Sequence, residues 1–307
     1  MVLCAKSYMK YLNKWLQLIK ERFNPVSYTA MIFVFLSAHY VLYLDLIKRT
    51  EIPSLGMLQL IPIVLATSLF FFKLRLFDEV KDMESDTMHH PERPLPRGIL
   101  SKNEVIRVAL ILMVIEIALF SYYGLWAFLS TVIAASYSLM MYKEFFIKKW
   151  LRAHLTTYAV THTFVVVLIS LAVFVALFDK PLTSTPKNLV YFSFAGWFLF
   201  NIFEFGRKSF AKKEEKEGID SYSKIFGKFG AVTLVIIMAL LSIVFINKTT
   251  PSVITNTLFL LLVPVGIAGL LYAASDRLRF AKIYRATTSL YIVLAYGTVA
   301  LLGFRIF

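Results

Sequence analysis

Thiol chemistry is nearly absent from this sequence. One cysteine, Cys4, stands among 307 residues, so no internal disulfide can form. Neither that thiol nor the spacing of the five histidines suggests a zinc site. Negative charge is scarce too: 19 Asp and Glu face 33 Lys and Arg, a formal net charge of +14. The first 23 residues lack the uninterrupted apolar core of a secretory signal, because lysines recur through them. No low-complexity segment and no soluble domain can be marked out. What fills the chain is hydrophobic residue, 58% of the total, gathered in long blocks. A soluble domain would be nearer half apolar. Blocks of this kind point to a polytopic membrane protein built of helices, whose backbone groups bond within each span.

Nine blocks approach the ~20 residues that cross about 30 Å of hydrocarbon. They lie near 27–47, 57–77, 103–123, 125–142, 154–178, 188–208, 229–247, 253–274 and 286–306. Numbering the connections alternately tests the count. Of the 33 basic residues, only Lys48, Arg49, Lys180, Lys187, Lys248 and Arg305 fall on one side, and the other 27 share the side of the N-terminus. A miscounted span would scramble that asymmetry. The positive-inside rule then sets the N-terminus in the cytoplasm and the C-terminus outside. The fold expected is all-α, nine transmembrane helices in one bundle with cytoplasmic cap loops, forming a single membrane domain over 1–307. The positive charge reads as orientation and attraction to anionic lipid, not as a nucleic-acid surface.

Residues 1–24 carry a different pattern. Tyr8, Tyr11, Leu12, Trp15, Leu16, Ile19 and Phe23 recur at helical spacing, with Lys6, Lys10, Lys14 and Lys20 toward the other side. This predicts an amphipathic helix lying on the membrane face.

The scarce carboxylates are not spread evenly. Five of them fall between Asp78 and Asp86, where the second span should end. On a helix Asp78, Asp82 and Asp86 form a slowly drifting row on one face, with Glu79 and Glu84 elsewhere. Like charges at that spacing repel, and a helix C-terminus is already negative. One reading is a solvated helix end neutralised by Lys73, Arg75 and Lys81. The other is a cation site, since Mg²⁺ takes one or two carboxylates together with phosphate oxygens. The next residues, "HHPERPLPRG", supply Arg93 and Arg97 in a proline-rich turn. Arginine suits bidentate phosphate recognition. Acid row followed by basic turn is what a metal–diphosphate site would need.

A second cluster follows the sixth span: "NIFEFGRKSFAKKEEKEGIDSYSKIFG", residues 201–227. Glu204 lies at the membrane boundary, with Arg207 and Lys208 after it, then Glu214, Glu215, Glu217 and Asp220. An ionisable group at such depth is a functional candidate. A plain Glu204–Lys208 pair on a solvated helix end is the alternative.

Together these motifs resemble the UbiA superfamily of intramembrane prenyltransferases, over nearly the whole chain. The family's first motif is an Asn or Asp with two aspartates at four-residue steps, then R-P-L-x-x-G, matched by Asp78, Asp82, Asp86 and "RPLPRG". Its second is an acidic loop after span six, matched in place by "EEKEGIDSYSKIFG". Glutamates and Lys208 stand where the family mostly uses aspartates. The resemblance implies Mg²⁺-dependent transfer of a prenyl group from a polyprenyl diphosphate to an aromatic or lipid-like acceptor that the sequence does not identify. It implies Asp78, Asp82, Asp86, Glu204, Glu215 and Asp220 as metal ligands. Arg93, Arg97, Lys143, Arg207 and Tyr222 are implied at the diphosphate, with Arg93 and Lys143 counted as catalytic beside the three aspartates. The setting implied is a bacterial plasma membrane. A membrane terpene cyclase would use the same residues, and a divalent-cation transporter is the reading from another class.

Three ionisable groups fall inside spans: His39, Glu116 and His162. Each histidine is expected to bond between helices. Glu116 needs a partner or a proton, or serves as a base on the acceptor side. Tyr137 and Tyr222, next to the motifs, are the aromatics best placed to meet a carbocation.

Overall fold

The computed structural model describes the backbone of residues 2–48 and 55–306, and side chains from Met9 onward within those segments except Lys10. Lys6, Tyr8 and Lys10 of the expected amphipathic face, with Cys4 and Arg49, lie outside the described side chains. Every regular element among the described residues is helical: α1 (Val2–Arg22), α2 (Pro25–Ile47), α3 (Met57–His89), α4 (Lys102–Ser121), α5 (Leu125–Tyr142), α6 (Lys148–Ala153), α7 (Leu155–Thr163), α8 (Val165–Phe178), α9 (Lys187–Arg207), α10 (Tyr222–Asn247), α11 (Ser252–Ala273) and α12 (Leu278–Ile306), with three short 3₁₀ turns.

Among the described residues, eight spans are long and apolar enough to cross a membrane: α2, α3, α5, the α7–α8 segment, α9, α10, α11 and α12. The ninth expected span is α4, which is long enough but holds Lys102, Glu104, Arg107 and Glu116. Its outward residues Ile111 and Val114 are more than half exposed, as a lipid-facing surface would be.

Several boundaries differ from the sequence reading. The second span does not stop near residue 77; α3 runs on for 33 residues to His89. At 1.5 Å per residue that is about 50 Å, more than the ~30 Å of hydrocarbon, so the helix is long enough to carry the acid row beyond its apolar stretch. The fifth span breaks at Phe164 into α7 and α8. The connection placed at 277–285 is largely the opening of α12. The seventh span starts early, at Tyr222, and bends at Gly227, whose φ of 69° favours glycine.

The helices cluster into two compact units, residues 1–33 with 56–146 and residues 34–55 with 147–307. In the first, α3 packs along α4, and α4 along α5. Leu18 of α1, Leu76, Phe77 and Val80 of α3, Leu95 and Leu100 of the following turn, and Val105 and Ala109 of α4 form its buried cluster. The same helix α1 leaves Met9, Tyr11, Leu12 and Leu16 exposed. It therefore has a protein side and an apolar outer side, which suits a helix in the plane of an interface.

In the second unit α9 packs against α8, α10 and α12, and α11 against α10 and α12. Close approach between α9 and α12 depends on glycine. A Cβ added at Gly206 would lie 2.2 Å from Thr288 Oγ1, and one at Gly196 would lie 2.6 Å from Tyr296 Oη. His39 is fully buried; its Nε2 makes the expected bond between helices, to the Ser170 hydroxyl at 2.6 Å, while its Nδ1 meets the Phe35 carbonyl of its own helix at 2.7 Å.

Candidate functional site

In the first unit the acid row occupies the last three turns of α3. Asp78 is 44% exposed at its side chain and accepts from Lys81 Nζ at 2.8 Å. Asp82 is half-buried, one turn on. Asp86 is 5% exposed and accepts from Arg93 Nη1 at 2.5 Å. Glu79 points away from the row, as the helical spacing requires; it is buried between Arg75 and Arg22, whose Nε donates at 2.7 Å. That contact ties the last turn of α1 to the motif helix.

The proline-rich turn is held from both ends. Its Leu95 and Leu100 are in the buried cluster, and Gly98 takes a φ of 71°. Arg93 reaches back to Asp86, while Arg97 Nη2 donates to Glu21 of α1 at 3.1 Å. Lys143, at the end of α5, is joined to the motif through aromatic contacts. Its Nζ lies 4.9 Å over the Tyr142 ring, and Tyr142 stacks on Phe77 with ring centroids 4.9 Å apart. The chain after it is strained: Glu144, Phe145 and Phe146 all have positive φ, 49°, 52° and 61°. Each costs an L-residue about 1–2 kcal/mol, so packing must hold them there. Tyr137 packs edge-on against Phe145 at 5.3 Å.

The second unit carries the other motif. Glu204, near the end of α9, is 13% exposed at its side chain and accepts from Arg207 Nε at 2.5 Å and Lys208 Nζ at 3.0 Å. The pairing read as an alternative in the sequence is therefore formed. The Tyr222 N–H donates to the Lys208 carbonyl at 3.1 Å and closes the loop 208–222. Tyr222 itself is fully buried against Phe205, with ring centroids 4.8 Å apart.

Within the loop the two adjacent glutamates differ. Glu214 Oε2 and Oε1 accept from Arg285 Nη1 and Nη2 at 2.8 and 2.6 Å. Burial pushes the Glu214 carboxyl up, but the Arg285 hydrogen bonds and the Ala211 N–H hold it below the usual carboxylate value. Glu215 accepts only from hydroxyls, Ser221 Oγ at 2.7 and 2.8 Å and Ser223 Oγ at 2.6 Å. Asp220 is exposed. The sequence motifs missed Arg285 because it is 71 residues beyond Glu214, in a stretch read as a connection.

A divalent cation can be tested against these donors. Among the described residues, no three His, Cys, Asp or Glu side chains converge as a ready-made cage. Mg²⁺ does not require one, since it commonly takes one or two carboxylates and fills its shell with phosphate and water oxygens. Asp82 and Asp86, hard oxygen donors one turn apart with Arg93 beside them, fit that chemistry. Glu215, whose hydrogen-bond partners are the uncharged Ser221 and Ser223, fits it better than Glu214 or Glu204, which are ion-paired.

A family model for the UbiA prenyltransferase family matches residues 28–295. Among solved structures, the chain is similar to the apo form of a UbiA homolog from Aeropyrum pernix K1, at a TM-score of 0.63 and 15% identity, over 88% of this chain and 96% of that one. It is similar also to a structure concerning digeranylgeranylglyceryl phosphate synthase in membranes, at a TM-score of 0.57 and 19% identity, over 95% and 99% of the two chains. At such identities the likeness is one of fold. No curated protein matches the chain. The helices, the two acidic motifs and the extent of the family match lead to one conclusion: the chain is an integral membrane protein and belongs to the UbiA prenyltransferase family.

Proposed function

We propose that the protein transfers a prenyl group from a polyprenyl diphosphate to an aromatic or lipid-like acceptor in the membrane, with Mg²⁺ as its metal, at a site facing the cytoplasm. The observation that carries the reading is the acid row on the projecting end of α3 with Arg93 bonded to Asp86 at 2.5 Å. The reaction breaks the bond between the prenyl C1 and the diphosphate oxygen. The acceptor then forms a bond to C1 and loses a proton.

In the first motif Asp78, Asp82 and Asp86, and in the second Glu204, Glu215 and Asp220, are the carboxylates that would hold metal. Bound there, Mg²⁺ supplies positive charge to the departing oxygen. Arg93, Arg97, Lys143 and Arg207 are cations suited to the diphosphate. Arg93 has N–H donors beyond the one on Asp86, so it can bridge carboxylate and phosphate. These fixed charges favour the state in which negative charge has moved onto the leaving group, which is where electrostatic catalysis acts. The apolar spans keep water from the carbocation, and Tyr137 is an aromatic suited to meet it.

The experiment is diphosphate release by the purified protein from farnesyl, geranylgeranyl and longer polyprenyl diphosphates, with Mg²⁺ or EDTA, with and without a membrane lipid extract. Transfer requires release that needs both Mg²⁺ and the extract. Release without extract, yielding a cyclic product, would replace transfer by cyclisation. Asp82→Asn is expected to abolish turnover while the protein still inserts and folds; an active Asp82→Asn enzyme would remove the metal-site assignment.

A further inference from the structure

We infer that Arg285, which neither sequence motif includes, is the positioning residue of the second acidic loop: it clamps Glu214 so that the neighbouring Glu215 is the carboxylate left for a divalent cation. The inference rests on the metal reading above and sharpens it.

The guanidinium meets Glu214 in a parallel fork, Nη1 to Oε2 at 2.8 Å and Nη2 to Oε1 at 2.6 Å. Its Nη1 also donates to the Ser209 carbonyl at 3.0 Å. One side chain of α12 thus holds the loop five residues apart, at 209 and at 214. The loop is pinned between those points as well. Phe210 lies 5.5 Å from the guanidinium, its N–H donates to Ser223 Oγ at 2.8 Å, and its carbonyl accepts from Tyr272 Oη at 2.9 Å.

The clamp separates the two glutamates chemically. Glu214 has both oxygens on a cation and accepts the Ala211 N–H at 3.0 Å besides. A metal ion there would have to displace a bidentate guanidinium, among the stronger charge-assisted contacts a carboxylate makes. Glu215 has an extended backbone, φ −65° and ψ 129°. Glu214 closes a short 3₁₀ turn and the chain leaves that turn at Glu215, whose carboxylate meets Ser221 and Ser223 rather than Arg285. The Ser221 and Ser223 hydroxyls that bond Glu215 carry no charge. Hydroxyls bonded to a carboxylate orient it without competing for a cation, as groups around metal ligands do. Ser221 is itself fixed, because its Oγ accepts the Lys224 N–H at 3.0 Å and caps α10.

The test uses the full chain in nanodiscs and measures binding of Mn²⁺ by EPR, in the presence of a farnesyl thiolodiphosphate that does not react. Arg285→Ala is expected to weaken Mn²⁺ binding at least tenfold, and Arg285→Lys to fall between it and the parent, because a point charge cannot form the fork. Glu214→Gln should weaken binding in the same direction, and Arg285→Ala with Glu214→Gln should be no worse than Arg285→Ala alone. Glu215→Gln should lose the ion that the clamp supports. If Arg285→Ala lowers the melting temperature but binds Mn²⁺ like the parent while Asp82→Asn does not bind, the clamp is only structural and the inference fails. It fails equally if Glu214→Gln loses the ion and Arg285→Lys and Glu215→Gln do not, since Glu214 would then be the ligand. Parent-like binding by Asp82→Asn would bring down the metal reading itself and the inference with it. Should Arg285→Ala not fold, Arg285→Lys, Glu214→Gln and Glu215→Gln carry the same comparison.

Discussion

Glu116 raised the sharpest question among single residues, because a lone carboxylate inside a span needs a partner or a proton. The partner is Lys73 of α3, and both side chains are fully buried. The second Glu116 oxygen, Oε2, is buried with no hydrogen-bond partner, and Lys73 Nζ also lies 4.2 Å over the Phe70 ring. A buried ion pair is poor evidence of net stability, since desolvation offsets the Coulomb gain, but breaking one half is costly. Lys73→Met is therefore expected to destabilise the protein by about 3–5 kcal/mol. Lys73→Met with Glu116→Leu should recover most of that loss. Thermal unfolding in one detergent measures both, and equal losses in the single and double variants would contradict the pairing. The sequence showed that Glu116 needed something; it set Lys73 among loop cations, because helical spacing does not say which helix lies alongside.

For the elements, α3 and α9 are the ones on which the motifs ride. Spacing alone put Asp78, Asp82 and Asp86 on one face, and the continuous helix bears this out. The packing of α9 on α12 was not legible, because a glycine in an apolar run looks like any small residue until its neighbour is known. Gly206 lies two residues beyond Glu204 and against Thr288. Gly206→Ala is expected to cost about 1–3 kcal/mol by overpacking. Thr288→Ala should restore part of that in the double variant, because Oγ1 is the nearest atom. A chemical denaturation series would show it. A Gly206→Ala protein as stable as the parent would mean that α9 and α12 are farther apart than described.

For the whole molecule the expectation to test is sidedness. Both acidic motifs and 27 of the 33 basic residues belong to one side of the nine-span count. The expected topology can be read with a membrane-impermeant maleimide in a Cys4→Ala background. Lys248→Cys should label in intact cells, and Lys213→Cys only after lysis. The reverse pattern would invert the orientation and move the proposed site to the outer face.

What the sequence determined by itself were the properties set by composition and by local period. Those are a helical membrane protein, most of its spans, the acid row of α3, and the acidic loop after α9. Hydrophobic length and steps of four are properties of adjacent residues, so one chain read in order reveals them. Only the tertiary structure decided which charge answers which. Lys73 is 43 residues from Glu116 and Arg285 is 71 from Glu214, yet each pair is in contact. Such pairings depend on which helices pack together and on how each is rotated, and side-chain shape across a whole interface decides both. For the same reason spacing alone could not tell Glu204, Glu214, Glu215 and Asp220 apart. Their neighbours in space set them apart: cations on the first two, hydroxyls on the third, solvent on the last.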